Sequence, residues 1–314
     1  MKKPIIVLTG PTAVGKTEIS IELAKAAGGE IISADSMQVY KQMDIGTAKI
    51  KKEQMQGVTH YMIDEWNPDE EFNVMIFQKR VKEIMEDIYN RGKIPILVGG
   101  TGFYIQAVLN DIAFTKEKQG DEIRADLQNL AKEKGASYLH HELQKVDKAI
   151  HPNNIKRVIR ALEYFQSTGQ KFSDHNKEER QKGSPYNFLY LVLTMNRKVL
   201  YERIDKRVDQ MMEEGLVKEV KQLLDAGYSR NLVSMQGLGY KEIASALFKE
   251  CTMEEAVYRL KRDTRHFAKR QMTWFRRERD VTMINKDNFS NNHDIVNYIM
   301  KLAVEKGICS CREG

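Results

Sequence analysis

One stretch near the start of the chain constrains the fold more than any other. The apolar run Ile5–Leu8 leads directly into Gly10–Thr17, which reads GPTAVGKT and has the glycine, lysine and threonine spacing of a phosphate-binding loop. Its glycines let backbone N–H groups wrap an anion at the start of the next helix. Lys16 adds a positive charge, and Thr17 adds a hydroxyl suited to Mg²⁺. The stretch therefore predicts a strand, a loop that binds a polyphosphate, and a helix.

The first third of the chain alternates apolar runs with amphipathic segments. We predict strands at Lys3–Thr9, Glu30–Ala34 and Lys93–Val98, and helices at Thr17–Ala27, at Phe72–Arg91 and after Gly102 to about Leu109. Strands that alternate with helices in this way are typical of a parallel sheet covered by helices.

The composition changes near residue 113. From Thr115 to Pro185 the chain is polar and charged, with helical periodicity at Ile123–Lys134 and Ile155–Phe165, before the buried strand Phe188–Leu193. The fold class that follows is α/β: a P-loop NTPase-like parallel-sheet core flanked by helices, with an all-helical insertion domain. The predicted core covers residues 1–112 and 186–314, and the insertion covers 113–185.

The last third of the chain carries a concentrated basic segment. Helices are predicted at Lys198–Ala226, at Tyr240–Lys249 and from the capping box at Thr252 to about Glu278, before a last strand at Val281–Ile284. The whole chain has a net charge of only +6. Between Arg259 and Arg279, nine lysines and arginines face two acids. A solvated helix face is the ordinary explanation, but this asymmetry also favours contact with nucleic-acid phosphates.

Apolar side chains interrupt that basic helix at helical spacing. They are Val257, Leu260, Thr264, Phe267 and Trp274. We interpret this stripe as core packing rather than as platforms for bases.

The composition favours a cytoplasmic enzyme. Apolar residues make up 41% of the chain, and no apolar run approaches the roughly 18 residues of a membrane span. The odd number of cysteines argues against a disulfide framework. We expect Cys309 and Cys311 to lie in a solvated, reduced tail. A monomer that does not contact membranes is predicted.

Two strand ends bear on which phosphate the loop binds. The predicted strand before Gly99 ends in GGTG, without the carboxylate that many ATP- and GTP-hydrolysing proteins place there. The second strand ends at Asp35, which should face the phosphate loop across the same sheet edge. At this position Asp35 could act beside a bound metal ion, as a cap or as a general base, and capping is the commonest role.

Several further motifs identify a family. Together with Gly10–Thr17, the segments DSMQ at Asp35, YKQMDIGTAK at Tyr40 and GGTGFY at Gly99 resemble the tRNA dimethylallyltransferases, the tRNA isopentenyl-diphosphate transferase family. The resemblance continues through Ile155–Glu163, QGLGYK at Gln236 and AKRQMTWFRR at Ala268. It spans nearly the whole chain and is closest to the compact bacterial type.

The resemblance implies transfer of a dimethylallyl group from dimethylallyl diphosphate to N6 of the adenosine 3′ of the tRNA anticodon. Asp35 would accept the proton as the C–N bond forms, and Thr101 would donate to the bridging oxygen of the breaking bond. Lys16, Arg207 and a Mg²⁺ ion on Thr17 would stabilise the leaving diphosphate.

The resemblance also implies two sets of binding residues. Diphosphate contacts fall at Gly10, Pro11, Thr12, Ala13, Val14, Gly15, Lys16, Thr17 and Arg207. Contacts with the tRNA anticodon stem-loop fall at Asp35, Ser36, Met37, Gln38, Thr101, Arg124, Lys156, Arg157, Val158, Ile159, Arg160, Gln236, Gly237, Leu238, Gly239, Tyr240, Lys241, Lys269, Arg270, Gln271, Met272, Thr273, Trp274, Phe275 and Arg276. The reacting adenine would be flipped out against Asp35–Gln38, and the insertion would clamp the stem-loop.

Other functions share parts of this pattern. A prenyltransferase that acts on free AMP or ATP would have the same loop and base but would not need the basic helix. A small-metabolite kinase would consume ATP. A nucleotide-switched RNA-binding module would leave Asp35 and Thr101 without a role.

Overall fold

A computed structural model describes residues 2–114, 120–150, 154–181 and 183–309. Within them, six strands form one parallel sheet: β1 Lys3–Thr9, β2 Gly29–Ser33, β3 His60–Tyr61, β4 Ile94–Gly99, β5 Tyr186–Thr194 and β6 Val281–Asn285. Their order across the sheet is β3-β2-β4-β1-β5-β6. The predicted parallel α/β core is confirmed, and the short strand β3 is an addition to it.

The α-helices in chain order are α1 Lys16–Ala27, α2 Val74–Asn90, α3 Gly102–Leu109, α4 Gly120–Lys134, α5 Ala136–Val146, α6 Ile155–Thr168, α7 Phe172–Gln181, α8 Arg197–Glu214, α9 Leu216–Asp225, α10 Tyr240–Leu247, α11 Met253–Phe275 and α12 Asn292–Glu305. The helix predicted over Lys198–Ala226 is two helices, α8 and α9. Gly215, with a φ of 102°, lies between them, and this left-handed backbone ends one helix and begins the next.

The core lies on both faces of the sheet, which explains why Ile5–Leu8 in the middle of β1 are all apolar. Ile5 and Val7 belong to one apolar cluster, and Ile6 and Leu8 belong to the other. Successive side chains of a strand point to opposite faces, so a central parallel strand needs apolar residues at every position.

Residues 110–184 form a compact unit of their own, separate from the unit of residues 1–109 and 185–314. In the described part of this smaller unit the regular structure is the helices α4 to α7. They pack around Leu139, Leu143, Val158 and Leu162.

The C-terminal cysteines differ from their prediction in one respect. Cys309 is half-buried against the apolar cluster on the α12 side, so it is not a solvated tail residue. Cys311 lies outside the described residues. None of the helices described here is both long and apolar enough to cross a membrane.

Candidate active site

The carboxyl ends of three neighbouring strands bring the predicted site together. Register places Thr9 of β1 beside Gly99 of β4, and Ser33 of β2 beside Val98. The segments that follow these strands are the phosphate loop, Asp35 and Thr101. They therefore meet at one edge of the sheet, where parallel α/β proteins bind their ligands.

The phosphate loop has the backbone shape that an anion cradle needs. Gly15, with a φ of 92°, precedes the first turn of α1, and Ala13 also has a positive φ of 63°. The ammonium of Lys16 donates to the carbonyl oxygens of Gly10 and Pro11, both at 3.0 Å. A Cβ at Gly15 would lie 2.8 Å from Lys286 Nζ, so a side chain here would displace that ammonium. The positive φ of Gly15 is itself a conformation that favours glycine.

Four positive side chains surround the loop: Lys16, Arg203, Arg207 and Lys286. Arg203 Nε donates to the carbonyl of Ala13 at 2.9 Å. Among the described residues, Arg203, Arg207 and Lys286 form no ion pair with a carboxylate. This unbalanced positive charge favours a multiply charged anion as the ligand.

Burial and the neighbouring charges lower the pKa of both lysines, Lys16 and Lys286. Burial is the main reason that the pKa of Lys16 is lowered to about 8; the charge of Asp35 opposes this effect, and that of Arg207 adds to it. Burial, and then the charge of Arg203, lower the pKa of Lys286. A bound diphosphate would reverse these shifts by stabilising the charged forms.

Arg207 is not a surface arginine held by its helix neighbours. Two acids on its own helix interact with other residues: Asp205 pairs with Arg265, and Glu214 accepts from Gln210 at 2.8 Å. Burial lowers the pKa of Arg207, while Asp35 raises it. The guanidinium therefore remains available to a ligand beside Asp35.

Asp35 has a structural role as well as a position in the site. Its Oδ1 accepts from the backbone N–H groups of Met37, at 2.9 Å, and Gln38, at 3.4 Å. This turn is the capping arrangement that the sequence left open. It fixes the carboxylate near Lys16 and Arg207, both of which respond to its charge. Thr101 Oγ1 accepts from Ser36 N–H at 3.3 Å on the same side.

A cavity of about 330 Å³ extends from these groups. Its polar lining comprises Thr12, Asp35, Ser36, Thr47, Thr101, Arg207, Gln236, Lys241, Thr264 and Arg270. Its apolar and glycine lining comprises Met37, Gly46, Ala48, Ile204, Val208, Met211, Gly237, Leu238, Tyr240, Leu260 and Phe267. One site thus joins anion-binding groups, a carboxylate and an apolar wall. Phe267, which we assigned to core packing, belongs to this wall.

Gln271 connects the phosphate loop to the turn after β4. Its Oε1 accepts from Thr12 N–H at 2.9 Å, and its Nε2 donates to the carbonyl of Gly100 at 3.0 Å. A Cβ at Gly100 would lie 2.2 Å from this amide, and a Cβ at Gly102 would lie 2.3 Å from the Trp274 ring. Gly100 and Gly102 of the GGTG turn therefore leave room for Gln271 and Trp274 of α11. The buried Gln271 amide is used inside the protein, and its contact with tRNA remains a prediction.

Four other predicted side chains are buried, and their contact with RNA remains a prediction. Tyr240 and Phe275 are fully buried, and the Tyr240 hydroxyl donates to Glu219 at 2.7 Å. Val158 and Ile159 belong to the apolar core of the helical unit. The resemblance identified contiguous segments, and in a helix only some positions of a segment reach solvent.

Gln38 fastens the loop that lines the cavity. Its amide nitrogen donates to the carbonyls of Thr47 and Ala48, and its oxygen accepts from Ser33 Oγ at 3.2 Å. Gln38 is not one of the lining residues, whereas Ser36 and Met37 are. Contact of Gln38 with an adenine remains a prediction.

Several exposed members of the predicted RNA set lie on α11 or directly after it. Lys269, Arg270, Thr273 and Arg276 are exposed. A surface groove of about 420 Å³ is lined by His266, Lys269, Arg270, Thr273, Trp274 and Arg277. In the helical unit, Lys156 and Arg157 are also exposed.

Arg124 and Arg160 share one buried partner, Glu163. Arg124 makes two hydrogen bonds to this carboxylate, at 3.0 and 3.1 Å, and Arg160 makes one at 2.6 Å. This arrangement holds both guanidinium groups in place while leaving part of each exposed.

Two residues that the sequence did not single out support the site. Lys286 follows β6 and is distant from the phosphate loop in the sequence, and folding brings its ammonium next to Gly15. Glu219 accepts from the backbone N–H groups of Asp44, Ile45 and Gly46 at 2.7 to 3.1 Å and so holds the loop that lines the cavity. The sequence signal for Glu219 is that this acid falls on the apolar face of α9, with Leu216, Val220 and Leu223.

The loop fits Mg²⁺ as a partner of a phosphate ligand. Thr17 is exposed, and its hydroxyl makes no hydrogen bond within the described residues. The described part of the chain has no cluster of three acidic, histidine or cysteine ligands. Mg²⁺ bound with phosphates needs few protein ligands, so one hydroxyl is compatible with it.

The fold and this site define a P-loop-like α/β protein that binds a polyphosphate beside an apolar cavity. The family model described as IPP transferase matches residues 38–278. The tRNA dimethylallyltransferase of Lachnoclostridium phytofermentans is 58% identical over 310 residues, which cover 98% of this chain and 99% of that protein. That of Acetivibrio thermocellus is 50% identical over 93% of this chain and 95% of its own length. The chain belongs to the IPP transferase family.

Solved structures agree with this assignment. The full-length tRNA isopentenylpyrophosphate transferase of Bacillus halodurans is 44% identical, with a TM-score of 0.74 and 98% of each chain covered. A eukaryotic dimethylallyltransferase acting on tRNA is 28% identical, with a TM-score of 0.77, 99% of this chain and 81% of that chain covered. The fold and family expected from the motifs are therefore confirmed.

Proposed function

We propose that this protein transfers the dimethylallyl group of dimethylallyl diphosphate to N6 of the adenosine 3′ of the anticodon in tRNA. One observation carries the proposal: a carboxylate, a cationic group without an acidic partner among the described residues, and an apolar wall line a single cavity. Family membership supplies the substrate classes. The cations suit the diphosphate, the apolar wall suits the five-carbon chain, and Asp35 suits the proton that must leave the amine.

Asp35 would act on the nucleophile. The lone pair of an adenine amino group is delocalised into the ring, so it attacks carbon poorly unless its proton is removed as the bond forms. The N6–C bond forms while the carbon–oxygen bond to diphosphate breaks, and the proton passes to Asp35. The turn at Met37 holds that carboxylate in place during the reaction.

The phosphate loop would stabilise the leaving diphosphate. Negative charge grows on the bridging oxygen as the bond breaks, and the loop N–H groups, Lys16 and Arg207 would stabilise it. Thr101 would donate to the bridging oxygen. When bound through Thr17 and the diphosphate, Mg²⁺ would neutralise part of that charge.

A transfer assay tests the proposal. The protein is incubated with Mg²⁺, radiolabelled dimethylallyl diphosphate, and tRNA, AMP or no acceptor. Label in tRNA is the expected result. Label in AMP but not in tRNA would instead identify an adenylate prenyltransferase, and ATP consumption without label transfer would identify a kinase.

Lys286 is predicted to be a further diphosphate ligand. Its ammonium borders Gly15, has no acidic partner among the described residues and has a lowered pKa, so a phosphate oxygen would satisfy it. Lys286→Met is expected to raise the KM for dimethylallyl diphosphate roughly tenfold or more, because a charged hydrogen bond is lost. The exposed Lys301→Met on α12 is the matched control. An unchanged KM in Lys286→Met would remove this residue from the site.

The exposed cations of α11 are predicted to bind RNA phosphates. Neutralising Lys269 and Arg270 to glutamine is expected to weaken tRNA binding and to reduce the slope of log K against log salt by about 1 for each phosphate that the protein no longer neutralises. Filter binding at several salt concentrations measures both effects. Lys218→Gln with Lys221→Gln on α9 is the control pair, and an equal slope in both double variants would contradict the assignment.

A further inference from the structure

Glu219 is buried but is not one of the residues that line the reaction cavity. Its carboxylate accepts four hydrogen bonds. Three come from the consecutive backbone N–H groups of residues 44–46, at 2.7 to 3.1 Å, and the fourth comes from the Tyr240 hydroxyl at 2.7 Å. Glu219 forms no ion pair with any residue that the structure describes. Donors from two separate segments therefore satisfy this buried carboxylate, and hydrogen bonds to a charged acceptor hold those segments together strongly.

The two segments that Glu219 joins are walls of the reaction cavity. The first lines the cavity with Gly46, Thr47 and Ala48, and the second lines it with Gly237, Leu238, Tyr240 and Lys241. A Cβ at Gly46 would lie 2.5 Å from the Tyr240 ring, so the two walls pack closely against each other. Burial, and then the charge of Glu219, raise the pKa of Tyr240, so its hydroxyl keeps the proton that it donates.

The first segment also leads to Asp35. Directly after the residues that Glu219 holds, the carbonyl oxygens of Thr47 and Ala48 accept from Gln38 Nε2 at 3.2 and 3.4 Å. The backbone N–H of Gln38 in turn donates to Asp35 Oδ1 at 3.4 Å. A connected series of hydrogen bonds thus runs from Glu219 through the loop and Gln38 to Asp35. Displacement of the loop would therefore displace the Asp35 carboxylate.

Lys49 fastens the same loop from its other end. Its side chain is almost fully buried, and its ammonium pairs with Asp44 at 2.6 Å and with Asp64. The ammonium also donates to the carbonyl oxygen of Tyr40 at 2.7 Å. Because this anchor does not involve Glu219, the loop should remain folded when Glu219 is replaced.

We propose that Glu219 is a positioning residue for the transfer reaction: its carboxylate holds the loop of residues 44–48 against the start of α10 and thereby fixes Asp35 in the cavity. This role rests on the proposed function and deepens it, because Glu219 acts through the group that accepts the proton. A misplaced base slows the chemical step. The groups assigned to the diphosphate lie on other segments, so binding of that substrate should not depend on Glu219.

The test compares Glu219→Gln with the unaltered protein by label transfer at saturating tRNA. Glutamine keeps one acceptor oxygen but turns an amide N–H toward the remaining N–H donors, so the loop should shift. We expect kcat to fall roughly 10- to 100-fold, as for a small misplacement of a reacting group, while the KM for dimethylallyl diphosphate changes little. Asp225→Asn, which removes an exposed acid from the same helix, is the matched control and should keep the normal kcat.

A double variant separates positioning from a general loss of structure. In the Asp35→Asn background no base remains to be positioned, so Glu219→Gln should lower the residual rate far less than it does alone. Equal losses in both backgrounds, or a normal kcat in Glu219→Gln, would overturn this inference alone. If the unaltered protein transfers no label, the proposed function fails and this inference fails with it.

Hydrogen exchange supplies a readout other than transfer. In Glu219→Gln the amides of residues 44–46 should exchange faster, and so should those of Met37 and Gln38, which donate to Asp35. Faster exchange at residues 44–46 alone would break the link to Asp35 and contradict the proposal. If Glu219→Gln does not fold, Tyr240→Phe replaces it, because this variant removes one donor and leaves the three backbone hydrogen bonds. A smaller loss of kcat that shrinks in the Asp35→Asn background is then expected, and no loss would count against the role.

Discussion

Replacing Asp35 by asparagine is expected to lower the transfer rate roughly 100- to 10,000-fold, the range that a positioned general base contributes. Asparagine keeps the side-chain oxygen that accepts from Met37 N–H, so the turn should survive. The amide cannot accept the proton that leaves the amine. Binding of tRNA should therefore remain close to that of the unaltered protein. Single-turnover transfer and a binding measurement on the same preparation separate the two effects.

Comparison with Asp35→Ala separates chemistry from structure. Alanine removes both the base and the turn acceptor, so this variant should lose turnover and also melt at a lower temperature than Asp35→Asn. If Asp35→Asn transfers label at the normal rate, Asp35 is a cap and not the base.

Replacing Lys16 by methionine is expected to lower kcat/KM for dimethylallyl diphosphate by roughly 100- to 1,000-fold, the usual loss when one preorganised donor to a developing negative charge is removed. Binding of tRNA alone should change little, because Lys16 donates within the phosphate loop. Steady-state kinetics with varied diphosphate substrate measures the loss. A variant with kcat/KM within a few-fold of normal would exclude this role.

The pH dependence gives a second readout for Lys16. A lysine is charged below its pKa, and that of Lys16 is lowered to about 8. Because kcat/KM reports the free enzyme, it should fall as the pH rises through about 8. Lys16→Arg keeps its charge over this range, so whatever its activity, its profile should be flatter above pH 8. Parallel profiles for the two proteins would assign the decline to another group.

Local patterns predicted the sheet and the phosphate loop because these depend on contiguous residues. Each signal lies within one short segment of the sequence: the apolar run of β1, the glycine spacing up to Gly15, and the carboxylate of Asp35. The break at Gly215 was missed because amphipathic periodicity continues through it.

The RNA-binding residues, unlike the phosphate loop, were not resolved one by one from contiguous segments. Segments of α6, α10 and α11 were assigned as a whole, yet Val158, Tyr240 and Phe275 are buried. The buried positions fall on the apolar face of each helix, which the periodicity of its sequence indicates, whereas a segment assigned by resemblance includes both faces.

The sequence by itself determined a parallel α/β core, a polyphosphate loop with Lys16, and the family to which the chain belongs. Tertiary structure alone decided that Lys286 borders Gly15, that Gln271 braces the loop, and that Asp205 pairs with Arg265 rather than with Arg207. The physical reason is distance along the chain. Strand and loop patterns arise from neighbouring residues, whereas a charge or an amide meets a partner that is distant along the chain only once the chain has folded.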